Sequence, residues 1–354
     1  MTDRENFLSI AKRTGYERMP VSFNMCPSLA QKFSAHIKEY PIEIPWDVDS
    51  IPGLSATCAE PGVFLDKYYS NKCFKPGTHI NSWGVAHEPG SAAAYHMTYM
   101  HHPMEDFDSV EQILTYPFPE FDRSSVTAAK KRAEEVHAAG RPAMGHMETT
   151  IWEQAWYMRG MENLMCDMMM DDDMATVLLD KVTELAVMQA ESYALAGADA
   201  IFLGDDVGMQ HSIMMSVDLY EQWLMPRLRQ VIDAAKAINP ELIVFYHSCG
   251  RVTELIPSLI KAGIDVLDPV QPETMDFRKL HEMYGDRLSF HGTLGTQSVM
   301  PFGTPEEVRK TVFENLDIAG ENGGLFVCPT HLLEPEVPVE NVIAYIRACA
   351  DYCK

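Results

Sequence analysis

Positive charge is scarce in this chain. Its 354 residues carry 28 Lys and Arg against 51 Asp and Glu, a formal net charge of −23. Nucleic acid and anionic membrane surfaces are held through basic footprints, so this balance speaks against both as partners. Its plain consequence is the solubility of an acidic protein. Long apolar runs are missing too. No window of about 18 uncharged apolar residues occurs, so no transmembrane helix is expected. The first residues, Met1-Thr-Asp-Arg-Glu-Asn6, are charged and lack an apolar signal core, which points to the cytoplasm. Eight cysteines in a chain of this length do not make a disulfide framework. Cys26, Cys58, Cys73, Cys166, Cys349 and Cys353 have no motif spacing and read as inert thiols. No Gly-x-Gly-x-x-Gly follows a strand-like run, which leaves dinucleotide binding without support.

What the chain does have is alternation. Strand-like runs occur at 20–24, 142–147, 198–203, 242–246, 264–267, 288–292 and 325–327. Helical patterns fill 4–14, 108–116, 125–139, 148–161, 175–197, 216–239, 251–262, 277–284, 304–322 and 339–350. Strands alternating with helices imply βα units and a parallel sheet. An eighth strand is expected after residue 40, which makes the chain a single (β/α)8 TIM barrel over residues 1–354. An open doubly wound sheet is the alternative. Residues 40–105 are irregular and rich in aromatics, with Trp46, Tyr68, Tyr69, Trp83, Tyr95 and Tyr99. They are expected to form a cap over the barrel mouth. Methionines cluster at Met158, Met161, Met165, Met168, Met169, Met170 and Met174 and read as adaptable core filler. The run His96 to Met104 fits no standard metal-ligand spacing, and Pro103 interrupts it.

Polar residues collect where the strands end, the functional face of a barrel. They are Asn24, His146 with Glu148, Asp205 with Asp206, His247 with Cys249, Asp268, His291, and Cys328 with His331. Residues i and i+2 of a strand share a face, so His247 and Cys249 aim at one site if the strand persists that far. Two cysteines and a histidine suit catalytic zinc, which takes three protein ligands and keeps an exchangeable position. His247, Cys249 and Cys328 are the expected metal ligands, with Glu148 or Asp206 as a displaceable fourth. Asp205 and Asp206 also read as a helix-capping pair. His331 reads as a general acid or a hydrogen-bond donor.

Several stretches together resemble the uroporphyrinogen decarboxylase superfamily, and within it the corrinoid-dependent methyltransferases. They are Gly204-Asp-Asp-Val-Gly-Met-Gln210, His247-Ser-Cys-Gly250, Gly263-Ile-Asp-Val-Leu267, Tyr284-Gly-Asp-Arg287, Gly323-Gly through Cys328-Pro-Thr-His331, and Pro338-Val-Glu-Asn341. The resemblance implies a (β/α)8 barrel. The decarboxylase branch has an arginine-rich segment near its N-terminus; here Glu17-Arg-Met-Pro-Val-Ser-Phe-Asn24 offers one Arg. The methyltransferase branch carries His-x-Cys and a distant Cys on zinc, matched by His247, Cys249 and Cys328. It implies methyl transfer between a corrinoid (cobalamin) protein and a small substrate. That substrate is either a thiol or tetrahydrofolate-type acceptor, or a methoxylated donor in O-demethylation. Asp206, His331 and Glu148 are then expected to be catalytic. Asn24, His146, Asp205 and Gln210 are expected to contact the cofactor. A decarboxylase or lyase, and a non-catalytic zinc or corrinoid-binding protein, are the competing expectations. Whether the protein forms a homodimer is left open.

Overall fold

The computed structural model describes residues 1–91 and 98–352. Tyr95, His96, Met97 and Cys353, all remarked on above, lie outside the described residues. Among these, seven strands form one parallel sheet in sequential order. They are β1 (Asp49–Ile51), β2 (Ala143–Glu148), β3 (Ala200–Gly204), β4 (Ile243–His247), β5 (Val266–Val270), β6 (Ser289–Leu294) and β7 (Leu325–Pro329). β5 and β7 are buried at every residue, as expected for strands covered on both faces. Helices connect successive strands and pack outside, which curls the sheet into barrel form.

The expected first strand, 20–24, is not a ladder strand. Pro20 has no N–H, and Pro27 begins the helix Pro27–Glu39, so the run between them is too short to pair regularly. The segment still spans the gap between the sheet edges. Val21 N donates to Trp46 O at 3.0 Å just ahead of β1, and Leu333 N donates to Asn24 O at 2.8 Å just beyond β7. The first laddered strand is β1, inside residues 40–105. The rest of that region includes short accessory strands. Ser55–Thr57 pairs with Glu120–Asp122, and His79–Ile80, Ala86–Glu88 and Tyr99–His101 form an antiparallel trio.

Of the expected helices, one is shortened and one is broken in two. The one over 148–161 starts late, at Trp152, and ends at Gly160, whose φ of 85° no helix interior accepts. The one over 216–239 divides into Val217–Trp223 and Met225–Ile238, because Pro226 suits only a first turn. The methionine cluster is mixed. Met158, Met168 and Met174 are buried, whereas Met169 and Met170 are exposed.

The barrel floor is aromatic. Phe202, Phe245 and Phe326 point inward from β3, β4 and β7, with Phe202–Phe245 centroids 5.9 Å apart and Phe245–Phe326 centroids 5.4 Å apart. Phe7, on the N-terminal helix Asp3–Ala11, plugs the layer at 5.2 Å from Phe326 and 5.9 Å from Phe245. That helix is fixed at its start by a capping box between Thr2 and Glu5. Two residues further along β4 and β7 on the same face stand His247 and Cys328, so the floor sets the height of the site.

Candidate metal centre

Above the aromatic floor lies a cavity of about 270 Å³. His247, His291 and Cys328 line it, with His146 and Glu148 from β2 and Asn24 and His331 from the flanking segments. Among the described residues no Lys or Arg lines it.

β4 ends at His247, and Gly250 turns the chain with φ of 81°. A Cβ at Gly250 would meet Met209 O at 2.8 Å, so the close approach requires glycine. The strand does not persist to Cys249; it is the turn that places Cys249 Sγ 3.5 Å from His247 Nε2. Asp206 joins them. Its Oδ1 accepts from Cys249 N at 2.6 Å and lies 3.7 Å from His247 Nε2. One ligand atom from each of Asp206, His247 and Cys249 falls within 4.8 Å of the others.

The other imidazole nitrogen is occupied. His247 Nδ1 meets Asp268 Oδ2 at 2.5 Å, so the carboxylate directs Nε2 toward Cys249 and Asp206. Asp268 Oδ1 pairs with His291 Nδ1. Burial works against charge on all three groups, yet their pairing outweighs it. Asp268 is held below the usual carboxylate range by His291 and His247, and both imidazoles are raised well above their ordinary value. Burial pushes the Cys249 and Cys328 thiols up. A divalent metal would reverse that, since coordinated thiols lose their proton.

The expected trio His247, Cys249 and Cys328 is therefore not gathered as such. Cys328 lies beside His291, with Sγ 3.4 Å from its Nε2, and Asp206 stands with the other two. The turn at Gly250 carries Cys249 past the end of β4 to Asp206, beyond the end of β3, whereas Cys328 stays within β7 and meets His291 on the neighbouring β6. Asp268 links the two halves by holding both histidines.

The remaining expected residues divide. Asn24, His146, Glu148 and His331 line the cavity, with His146 Nδ1 3.8 Å from Glu148 Oε1. Asp205 does not; it is buried and accepts from the backbone N–H groups of Ile151 and Glu153, at 3.0 and 2.9 Å. It thus satisfies the start of the helix Trp152–Arg159, which precedes it in the chain, and not the start of the segment that follows it. Its carboxyl is pushed up to about 8 by burial and by Glu153. Gln210 is also elsewhere, exposed and paired with Gln297 at 3.2 Å.

Other groups escaped the sequence reading. Asp47 lines the cavity beside β1, and burial raises its carboxyl. Glu153 is raised by burial and by Asp206, accepts from Asp206 N at 3.1 Å, and takes the Tyr157 hydroxyl at 2.8 Å. Gln271 accepts from Gly250 N at 2.6 Å and sits 3.6 Å from Cys249 Sγ. Asp47 follows Trp46 in an aperiodic stretch, and Glu153 sits within a helical pattern, so neither carried a signal.

Fold and site together define a parallel α/β barrel with a candidate soft-metal centre at its strand ends. The chain belongs to the uroporphyrinogen decarboxylase (URO-D) family, whose model matches residues 96–352. It is similar to a methylated-thiol–coenzyme M methyltransferase of Methanosarcina mazei, 28% identical over 208 residues, 57% of this chain and 52% of that protein. It is similar to a methylcobamide:CoM methyltransferase of Methanosarcina barkeri, 25% identical over 180 residues, 51% of this chain and 50% of that one. A uroporphyrinogen decarboxylase of Coxiella burnetii is 26% identical over 256 residues, 69% of this chain and 64% of the decarboxylase. The chain spans about half the length of the methyltransferases it matches. A solved methyltransferase structure from Methanosarcina mazei superposes over 99% of both chains, with a TM-score of 0.64 and 20% identity, which establishes a shared fold. Among the described residues no helix is long and apolar enough to cross a membrane.

Proposed function

We propose that the protein is a zinc-dependent methyltransferase that moves a methyl group between a corrinoid carried by a partner protein and a small substrate. The observation that carries this reading is the grouping of Asp206, His247 and Cys249 within 4.8 Å, with the far side of the imidazole held by Asp268. An N, S and O donor set with one ring nitrogen fixed from behind fits zinc. His247 and Cys249 would hold the metal, Asp206 is the displaceable oxygen ligand, and Cys328, on the central cavity wall beside His291, is the further soft ligand. Zinc there would supply Lewis acidity, favouring a thiolate at neutral pH or polarising an ether oxygen.

The chain's own residues do the rest. Asp268 orients the imidazoles of His247 and His291. The aromatic floor closes the barrel below the reacting groups and excludes water there, which favours alignment of donor and acceptor. Glu148 and His331 stand at the cavity wall, where a proton can be taken up or given.

The similarity to uroporphyrinogen decarboxylases raises a second reading, decarboxylation of a polycarboxylate. The cavity does not favour it. Among the described residues its lining contains Asp47, Glu148 and Asp268 and no Lys or Arg, and Arg18 is engaged at the surface with Asp3.

The test is metal analysis of protein purified without chelator, with an absorbance assay of methylcob(III)alamin and cob(I)alamin against thiols and methoxylated compounds. The reading expects about one zinc per chain and a change of corrinoid spectrum with at least one substrate class. Protein without zinc and without methyl transfer in either direction would sink it. Metal-independent turnover of a porphyrinogen that survives Cys249→Ala would establish the decarboxylase instead.

A further inference from the structure

The wall of the central cavity carries carboxylates without matching cations. Asp47, beside β1, and Glu148, at the end of β2, both line it. Glu148 pairs with His146 at 3.8 Å and, among the described residues, with no Lys or Arg. Arg141, whose charge reaches Asp47, is itself engaged with Asp49 at 3.0 Å. Burial raises the Asp47 carboxyl, and a cation beside it would favour its charged form.

The imidazoles do not reverse this balance once a metal is bound. Asp268 holds both His247 and His291. On the metal His247 would be a neutral ligand, which leaves Asp268 to offset His291. Two thiolates and the Asp206 carboxylate on one divalent ion would leave the centre itself negative. The chain's net charge of −23 adds a long-range pull of the same sign.

The floor supplies a second, independent attraction. Phe7, Phe202, Phe245 and Phe326 all line the cavity. The face of an aromatic ring is its negative side, and a cation within about 6 Å of the ring centre is drawn to it, most strongly where water is excluded. An uncharged ligand would gain apolar contact with the floor and nothing from the carboxylates. An anion would be opposed by both.

We propose that the small substrate of this cavity carries a positive charge of the ammonium type, held between the phenylalanine floor and the Asp47 and Glu148 carboxylates. The charged end is recognised apart from the atom that faces the metal. The cavity of about 270 Å³ admits a choline-sized ion, since a cavity of about 150 Å³ already holds benzene. The proposal rests on the methyl-transfer reading in taking this cavity as the substrate site and the metal as bound, and it names the charge class which that reading leaves open.

Binding is measured by ligand-observed NMR or calorimetry on the full chain as purified, with three probes of nearly one shape. They are choline, the dimethylbutanol in which carbon replaces the choline nitrogen, and dimethylbutanoate, the carboxylate of the same skeleton. Choline is expected to bind roughly 5- to 30-fold more tightly than the alcohol, the range that cation–ring attraction spans between partly wet and dry sites. The carboxylate is expected to bind most weakly. Asp47→Asn should weaken choline and leave the alcohol unchanged, and Phe202→Leu, which keeps the floor apolar without its ring, should narrow the gap between the two. Choline that binds no more tightly than the alcohol, or a carboxylate that binds as well as choline, overturns the proposal, and these comparisons need no variant to fold. Zinc content and methyl transfer decide the proposed function, whereas the order among three probes without thiol or methoxy groups decides the charge class, so the two failures are distinct.

Discussion

Asp268 Oδ2 lies 2.5 Å from His247 Nδ1, and it is this contact that leaves Nε2 as the nitrogen facing Cys249 and Asp206. A carboxylate behind a ligating imidazole fixes its tautomer and raises its basicity. Asp268→Asn keeps the size and loses the charge. Zinc affinity, measured by competition with a chelator, is expected to fall by roughly 10- to 100-fold. Circular dichroism should stay unchanged. Unaltered affinity would show that the metal is held without this support.

The place of Cys328 can be decided by counting thiolates. Cobalt(II) substituted for zinc gives a sulfur-to-metal charge-transfer band whose intensity follows the number of bound thiolates. With both Cys249 and Cys328 as ligands, Cys328→Ser should reduce the band by roughly half, while Cys249→Ser should also weaken metal retention. A band unchanged in Cys328→Ser would leave Asp206 as the third ligand, the arrangement in which the side chains stand here.

The barrel was legible because its strands are buried on both faces and so read as apolar runs, as in β4 and β7. His247 and Cys249 were legible because their spacing is local. Asp206 was named only as an alternative to Glu148, because the choice between them depends on how the β3 and β4 ends meet across 43 positions of sequence. Asp268 was visible as a strand-end residue, but nothing in its neighbourhood foretold that it would grip two histidines. Strand β1 was expected only somewhere after residue 40, because a strand of three residues has too little periodicity to give its position.

Phe7 links the N-terminal helix to the barrel floor. It is 1% exposed and packs on Phe245 and Phe326. Phe7→Ala removes a buried ring and leaves a cavity that the surrounding aromatics only partly fill. Urea denaturation should show a loss of about 3–5 kcal/mol. Because the floor sits directly beneath His247 and Cys328, zinc affinity should fall as well. A loss below about 1 kcal/mol would mean that the floor closes without the helix.

Acid stability should depend on Glu88, in the accessory antiparallel sheet. Its carboxyl is lowered to about 2 by hydrogen bonds from Lys75 and His101, with Lys75 the larger influence. Lys75 Nζ lies at 2.8 Å and His101 Nε2 at 3.0 Å. The sign follows from proton binding. Between the folded value and the ordinary value of 4.5, the unfolded chain holds more protons at this site than the folded one. The stabilisation is therefore complete above the ordinary value and is lost as pH falls toward 2. Glu88→Gln removes the titrating group while keeping a hydrogen-bond acceptor. The variant should be less stable than the parent at neutral pH, and the gap between their melting temperatures should narrow as pH drops from about 5 to about 2. Parallel melting curves across that range would assign the acid sensitivity to other carboxylates.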